Sequence, residues 1–106
     1  MVNVPLAAGA GSKAFREAVT QFWLPVLREF APQFVIFSAG FDAHAEDDMA
    51  MLAFQDADYA WVTDQVKQAT DKHTRGRIVS MLEGGYDLSA LGRSAVQHLR
   101  VLAGIN

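Results

Sequence analysis

Two short segments carry the residues whose types and spacing could support chemistry. Residues 38–44 place Asp42 among small side chains, and residues 83–86 place Tyr86 directly after two glycines. A carboxylate on such a loop can ligate a metal ion or act as a base, and a tyrosine hydroxyl can donate a hydrogen bond to a substrate oxygen. A structural role is the alternative, because aspartate and glycine are common in turns and Asp42 or Asp87 could cap a helix.

These loops must be held by the elements on either side of them. Apolar runs bounded by turn residues predict strands at 2–6, 34–37 and 77–82. Apolar residues at helical spacing predict helices at 13–30, 56–70 and 88–103. Pro25 is expected to kink the first helix or to separate it from a last turn, and Asp87 or Ser89 is expected to cap the last helix. The predicted buried stripes are Tyr59, Val62, Val66 and Ala69 in the second helix and Leu91, Ala95, Leu99 and Leu102 in the last.

The order strand, helix, strand, helix, strand, helix predicts an α/β fold, a three-layer piece of parallel sheet. No repeat or linker interrupts it, so residues 1–106 are expected to form a single partial domain. Ligands of open parallel sheets bind beyond the carboxyl ends of the strands. Asp42 and Tyr86 each follow a predicted strand end by a few residues. We therefore expect both side chains to project over the same edge of the sheet.

The composition argues against several classes of function. Twelve acidic and nine basic side chains give a net charge of −3, and without a basic cluster nothing favours nucleic acid or an anionic membrane. No apolar run approaches the ~20 residues of a membrane span, and no secretory signal is recognisable. The absence of cysteine fits a reducing compartment, so we expect a cytoplasmic location.

The chain is also more apolar than its size predicts. Hydrophobic residues make up 51% of it with glycine left out, whereas ~45–50% is usual with glycine counted, and a small domain should be more polar than average. Three strands are few for a parallel sheet, which leaves an edge in need of a partner. Both features predict a surface that packs against something outside this chain, in a larger domain or an oligomer.

The two candidate segments resemble a known pair of motifs. Residues 38–44 and 82–88 are similar to the two C-terminal motifs of the histone deacetylase superfamily, and most similar to its class II and bacterial branch of histone-deacetylase-like and acetylpolyamine amidohydrolases. Residues 3–6 and 58–63 also resemble that branch, so the likeness covers nearly the whole chain. The resemblance implies the C-terminal part of the arginase/deacetylase fold and a zinc-dependent hydrolysis of acetyl-lysine, acetylated polyamine or another acetylated amine.

The resemblance also implies roles for individual residues. Asp42 corresponds to one of three Zn²⁺ ligands, and Tyr86 to the catalytic hydroxyl that binds the substrate carbonyl and stabilises the oxyanion. The residues implied to line the substrate channel are Phe41, Met49, Gly84 and Gly85. Asp48 stands where the family commonly has proline, which is a departure at the rim of the pocket.

Other parts of the family's site are missing from this chain. The family takes its remaining zinc ligands from an upstream Asp-x-His motif and its general base from a His-His pair, and this sequence has no counterpart of either. A catalytic zinc site needs about three protein ligands. We therefore expect the isolated chain to bind no catalytic zinc and to be inactive unless the missing N-terminal half is supplied by one parent chain or by a partner. The alternative is a stand-alone, non-catalytic domain derived from the family that self-associates.

The remaining candidates are weaker. His44 is a second candidate metal ligand, although a supporting role in the loop is favoured. His73 is expected to be solvated, and His98 to lie at the surface or in an interface. Residues 9–12 could cradle a phosphate but fit a flexible turn better, and the acidic run 46–48 is interpreted as a solvated loop.

Overall fold

The computed structural model describes residues 1–105 and consists of helices packed on a two-stranded parallel sheet. The elements in chain order are α1 (Ser12–Ala18), a π-helical turn (Val19–Trp23), α2 (Leu24–Phe30), β1 (Val35–Ala39), α3 (Asp56–Thr74), β2 (Ile78–Leu82) and α4 (Leu88–Leu102). The predicted α/β class is therefore confirmed. No helix in the described part of the chain is long and apolar enough to cross a membrane.

The prediction of a strand at residues 2–6 is wrong. The segment has no regular secondary structure, and it pairs with neither β1 nor β2. Alternation of apolar residues shows only that one side of a segment can be buried, and Pro5 has no N–H to donate to a ladder. Leu6 instead packs against the aromatic core.

The first helical region is divided near Pro25, as its sequence predicts. Proline lacks the N–H that would bond to the carbonyl of residue 21 in a continuous α-helix. Immediately before it, the Leu24 amide donates to the carbonyl of Val19, which is the wider bonding pattern of a π-helix. This turn shifts the phase of the apolar stripe, so Val19 and Leu24 are buried while Phe22 is exposed.

The sheet has one covered face and one bare face. Ile36 pairs with Val79, and Phe37 pairs with Ser80. We define the inner face by Phe37 and Ser80, which both contact His98 of α4. The outer face, defined by Ile36, Val79 and Met81, is 45–63% exposed. The third layer predicted from the sequence is thus not supplied by residues 1–105.

Helices α3 and α4 pack against each other over the inner face. Asp58 accepts a hydrogen bond from the Gln55 amide in a capping box that starts α3, and Asp87 caps α4 by accepting from the Ala90 amide. The predicted stripes are partly wrong. The buried residues are instead Asp58, Tyr59, Thr63, Val66, Thr70 and Thr74 in α3 and Ala90, Ser94 and His98 in α4.

Several apolar side chains of α4 face solvent, and this is the physical reason for that error. Leu99 was predicted to be buried but is 57% exposed, and Leu88 and Val96 are exposed too. Periodicity identifies an apolar stripe without showing whether its partner lies in the same chain. Inside this chain, Leu91 and Ala95 pack against the aromatic core, and His98 is hydrogen-bonded to the hydroxyls of Thr63 and Ser80.

An aromatic cluster beside the end of β1 forms the core. Phe41, Phe54 and Tyr59 are buried together, and the ring of Phe15 stacks on that of Phe54 with centroids 4.3 Å apart. Because Phe41 directly precedes Asp42, burial of its ring fixes the start of the loop that carries the candidate carboxylate.

Candidate active site at the carboxyl ends of the strands

The two candidate loops are joined at the carboxyl ends of β1 and β2. The Glu83 amide donates to the carbonyl of Ala39, and the Phe41 amide donates to the carbonyl of Gly84, each over 2.9 Å. These bonds continue the parallel pairing of the strands by a few residues. The loops that carry Asp42 and Tyr86 therefore leave the same edge of the sheet side by side.

The Asp42 carboxylate lies directly against the backbone of Gly84. A Cβ atom added to Gly84 would stand 3.0 Å from Cγ of Asp42 and 3.1 Å from each of its carboxylate oxygens. Such approaches are tighter than nearly all real Cβ contacts, so a larger residue at this position would require the Asp42 carboxylate to shift. The half-buried carboxylate makes no hydrogen bond or ion pair with any of residues 1–105, which leaves both oxygens available to a ligand.

Negative charges around Asp42 affect the pKa of a buried tyrosine, Tyr59. Burial, followed by the charges of Asp42, Asp58 and Asp47, raises the pKa of Tyr59 well above its usual value, so its hydroxyl stays protonated. That hydroxyl is buried, and the backbone of Ala43 interacts with it. The surroundings of Asp42 are thus acidic, and a cation there would be electrostatically favoured.

Tyr86 presents its side chain to solvent from a backbone that is held firmly. The side chain is 60% exposed, while its amide donates to Oδ2 of Asp47 over 2.7 Å. The next residue, Asp87, donates its amide to the same oxygen over 3.0 Å and then caps α4. The phenol is thus exposed, while the backbone that carries it is held by hydrogen bonds.

Asp47 is buried, so its interpretation as a solvated residue is wrong. It was interpreted as part of a solvated acidic run, yet it is 5% exposed and accepts three backbone hydrogen bonds. The available signal was the need for an acceptor near the amides that precede a helix, since such N–H groups lack intrahelical partners. Its neighbours Glu46 and Asp48 are exposed, so the run by itself could not single out Asp47.

Comparison with known proteins identifies the family of this chain. Residues 1–102 match the family model described as the histone deacetylase domain. The chain belongs to the histone deacetylase domain family. It is 34% identical over 103 residues to type-2 histone deacetylase 1 of Dictyostelium discoideum, a match that covers 97% of this chain and 7% of that protein.

A bacterial relative and a solved structure extend the comparison. The histone deacetylase-like amidohydrolase of Pseudomonas aeruginosa is 33% identical over 104 residues, which are 98% of this chain and 27% of that protein. The structure of the histone deacetylase Clr3 superposes with a TM-score of 0.89 at 35% identity, over 99% of this chain and 17% of that one. The chain thus spans less than a third of each of these relatives.

The residues implied to line a substrate channel occupy different environments in this chain. Met49 is 62% exposed, and its amide donates to Oδ1 of Asp47, beside the Tyr86 loop. Gly84 and Gly85 are half-buried next to Asp42 and Phe41. Phe41 itself is 4% exposed and packs on Tyr59 in the core, so its side chain supports the Asp42 loop, and its place in a channel stays a prediction.

His44 is buried, and both of its ring nitrogens are engaged. Nε2 lies 2.6 Å from Oδ1 of Asp56, and Nδ1 accepts a hydrogen bond from the Glu46 amide. Arg93 of α4 donates to the other oxygen of Asp56 and also pairs with Glu46. This arrangement favours the supporting role over the metal-ligand role, because the imidazole already links the Asp42 loop to the starts of α3 and α4.

The prediction for His98 is wrong, because it lies in the interior. Nδ1 is 2.7 Å from the hydroxyl of Thr63, which donates to the Tyr59 carbonyl, and Nε2 is 2.7 Å from the hydroxyl of Ser80. The Thr63 hydroxyl has one proton, so we assign the imidazole proton to Nδ1 and let Ser80 donate to Nε2. Burial lowers the pKa of His98, which favours this neutral form.

The other sequence candidates lie away from the site or serve local structure. His73 is exposed near the end of α3. Residues 9–12 form a turn into α1, and the Ala53 amide donates to the carbonyl of Ala10 there. Two Asp-x-His triplets do occur, at 42–44 and 71–73, but no group of three or more potential metal ligands comes together among residues 1–105.

Proposed function

We propose that this chain is the C-terminal part of a zinc-dependent, deacetylase-like amidohydrolase, which hydrolyses acetyl-lysine or another acetylated amine when the rest of the domain is present. The observation that carries this proposal is the pairing of two free groups on adjoining loops. The Asp42 carboxylate, which has no partner in residues 1–105, stands against Gly84, and the exposed Tyr86 phenol follows two residues later. Family membership supports the reaction class.

The residues of this chain suit zinc at one position of its coordination shell. Asp42 offers unshared carboxylate oxygens in an acidic setting, but about three protein ligands are needed for a catalytic site. The other ligands would come from outside this chain. When bound, zinc would supply Lewis-acid polarisation of the amide carbonyl and of the attacking water.

Tyr86 is proposed to act at the substrate carbonyl. Its hydroxyl would donate a hydrogen bond to the carbonyl oxygen and a stronger one to the oxyanion that develops as water adds. A donor that is already aimed loses little free energy to reorganisation during the reaction. The anchored backbone of Tyr86 supports this role, because it limits how far the phenol can drift.

The isolated chain is proposed to be inactive and to require a partner half. The outer face and the apolar side of α4 expose residues that a complete domain would bury, including Ile36, Met81, Leu88 and Leu99. The accessible surface of 6646 Å² exceeds the about 5,800 Å² expected of a compact monomer of this mass. We propose that the remainder of the deacetylase domain covers these surfaces.

Self-association of a non-catalytic domain is the second candidate function. The same exposed outer face favours it, because a second copy could cover that face as well as a missing half could. Light scattering coupled to size-exclusion chromatography tests the common requirement for a partner. A stable monomer that binds neither a second copy nor an upstream half of a deacetylase domain would contradict both candidates.

A chimera tests the proposed reaction. This chain would replace the matched segment of the P. aeruginosa relative, and the product would be assayed with acetyl-lysine peptide and with acetylated polyamine. We expect hydrolysis of one of them, with kcat about 10²–10³-fold lower for Tyr86→Phe and zinc content lost in Asp42→Ala. A folded chimera that hydrolyses neither substrate, or whose activity survives Tyr86→Phe, would count against the proposal.

A further inference from the structure

We infer that Asp47 is a positioning residue that fixes the reactive Tyr86 and the rim residue Met49 in one arrangement, an inference that rests on the function proposed for Tyr86. One carboxylate connects the two candidate loops. Oδ2 accepts from the amides of Tyr86 and Asp87 over 2.7 and 3.0 Å, and Oδ1 accepts from the Met49 amide over 3.0 Å.

The anchor of this carboxylate is itself well supported. The Asp47 amide donates to the carbonyl of His44, and His44 is held by Asp56 and by the Glu46 amide. The Ala45 amide donates to the Phe54 carbonyl, and the Phe54 amide donates to the Ala43 carbonyl. The segment that leads into Asp47 is therefore held by several hydrogen bonds, and the Asp47 carboxylate connects it to the Tyr86 loop.

The charge of Asp47 suits this task. Hydrogen bonds from the amides of Met49 and Tyr86 lower the pKa of the carboxyl, against an opposing effect of burial. An ionised carboxylate has two oxygens that both accept, whereas the amide of asparagine has one acceptor and one donor. Asparagine can therefore serve either the Tyr86 and Asp87 amides or the Met49 amide, but not both sides together.

We call the three hydrogen bonds that the Asp47 carboxylate accepts the Asp47 clamp. Its position explains why it should affect turnover. The amide of Tyr86 is fixed relative to the Asp42 loop, so the phenol of Tyr86 starts from a defined base while its tip is exposed. Misplacement of a reacting group by about 1 Å can lower a rate on the order of 10²-fold. Loss of the clamp should thus lower kcat more than it raises KM.

The wild-type chain of 106 residues gives the first test, by NMR spectroscopy. In a ¹³C- and ¹⁵N-labelled sample, we expect scalar couplings across the hydrogen bonds from the Tyr86 and Met49 amide nitrogens to the carboxyl carbon of Asp47. Asp47→Ala should move the amide proton signals of Met49, Tyr86 and Asp87 upfield and speed their exchange, and Asp47→Asn should do so on one side only. Asp48→Asn removes a neighbouring exposed carboxylate and should leave these three signals in place.

The chimera with the P. aeruginosa relative gives the second test. Asp47→Asn should lower its kcat by about 10–100-fold, with KM changed less than about threefold, and Asp71→Asn on the surface of α3 should match the parent. Absent couplings in the wild-type chain would overturn the clamp whatever the chimera does. Couplings together with a folded but inactive parent chimera would reject the proposed function, and with it the catalytic meaning of the clamp.

Discussion

The inner and outer faces of the sheet are formed by the same two strands, yet the helices cover only the inner face. On the inner face, His98 bridges Ser80 of β2 and Thr63 of α3, and its ring packs on Phe37. On the outer face, Ile36 and Met81 remain more than half exposed. The inner face makes polar contacts with the rest of the chain, whereas the outer face exposes apolar side chains.

The two faces differ in whether residues of this chain cover them. The inner face and the strand-end loops are hydrogen-bonded internally, so Asp42 and Tyr86 are positioned before any partner arrives. The outer face can gain free energy only from association, since full burial of one large aliphatic side chain is worth about 1.5–3 kcal/mol. We therefore propose that the strand-end loops are a structured part of an active site and that the outer face is a docking surface.

The largest expected effect is on the inner face. His98→Ala removes a buried ring and leaves the Ser80 hydroxyl without its acceptor, so the free energy of unfolding should fall by about 3 kcal/mol. Urea unfolding followed by circular dichroism measures this change. His73→Ala on the exposed end of α3 should stay within about 0.5 kcal/mol of wild type. Equal effects of the two variants would mean that the contacts of His98 do not stabilise the inner face.

A smaller loss is expected at the loop that joins the sheet to α4. Gly85 has φ of +139°, and an added Cβ would stand 2.8 Å from Cδ1 of Leu91. Gly85→Ala should lower the free energy of unfolding by about 2 kcal/mol, through backbone strain and a local clash. Gly92→Ala is the matched control, because no atom lies within 4 Å of that Cβ and the change should stabilise α4 by about 0.5–1 kcal/mol. A neutral Gly85→Ala would mean that the Tyr86 loop is looser than its contacts indicate.

The pH dependence of stability should also be traceable to the inner face. Burial lowers the pKa of His98 in the folded state, whereas the unfolded chain keeps the ordinary histidine pKa of about 6.5. At pH values between these two pKa values, the unfolded chain therefore binds more protons than the folded chain. Stability from this group is therefore complete above about pH 6.5 and declines as the pH falls through that window. Unfolding midpoints measured from pH 7.5 to 5 should fall more steeply for wild type than for His98→Ala. Parallel curves would show that His98 is not the titrating group.

The sequence predicted the parts of the fold that local chemistry determines. The helix predicted at 56–70 is Asp56–Thr74, the helix at 88–103 is Leu88–Leu102, and Asp87 is the cap. The convergence of the Asp42 and Tyr86 loops followed from the parallel topology alone. Each of these features depends on residues near in sequence, or on a rule that holds for every parallel sheet.

The features that were missed depend on distant partners. The stripe predicted for α4 included Leu99, which is exposed, and excluded His98, which is buried, because apolar periodicity does not reveal which chain supplies the partner. Asp47 resembles its exposed neighbours in type, and only the fold brings it to the amides of Tyr86 and Asp87. The difference between a solvated and a clamped carboxylate lies in contacts 39 and 40 residues away.

The smallest change in stability is expected on the outer face. Ile36→Thr together with Met81→Thr makes this face more polar while keeping side chains that suit strands. Because both positions are already exposed, the free energy of unfolding of dilute monomer should change by less than about 0.5 kcal/mol per substitution. Urea unfolding at low protein concentration measures this value, beside the much larger loss expected for His98→Ala.

The same double variant should have its main effect on association. If a second copy or an upstream half of the domain covers the outer face, losing the apolar contacts of Ile36 and Met81 should weaken that complex by at least tenfold, since about 1.4 kcal/mol corresponds to a factor of ten. Sedimentation equilibrium follows self-association, and titration with the upstream part of the P. aeruginosa relative follows the other case. A matched pair on the exposed end of α3, Asp71→Asn with His73→Ala, should leave both affinities unchanged. Unaltered association in the outer-face variant would mean that the bare face is not the docking side, and that the partner covers α4 alone.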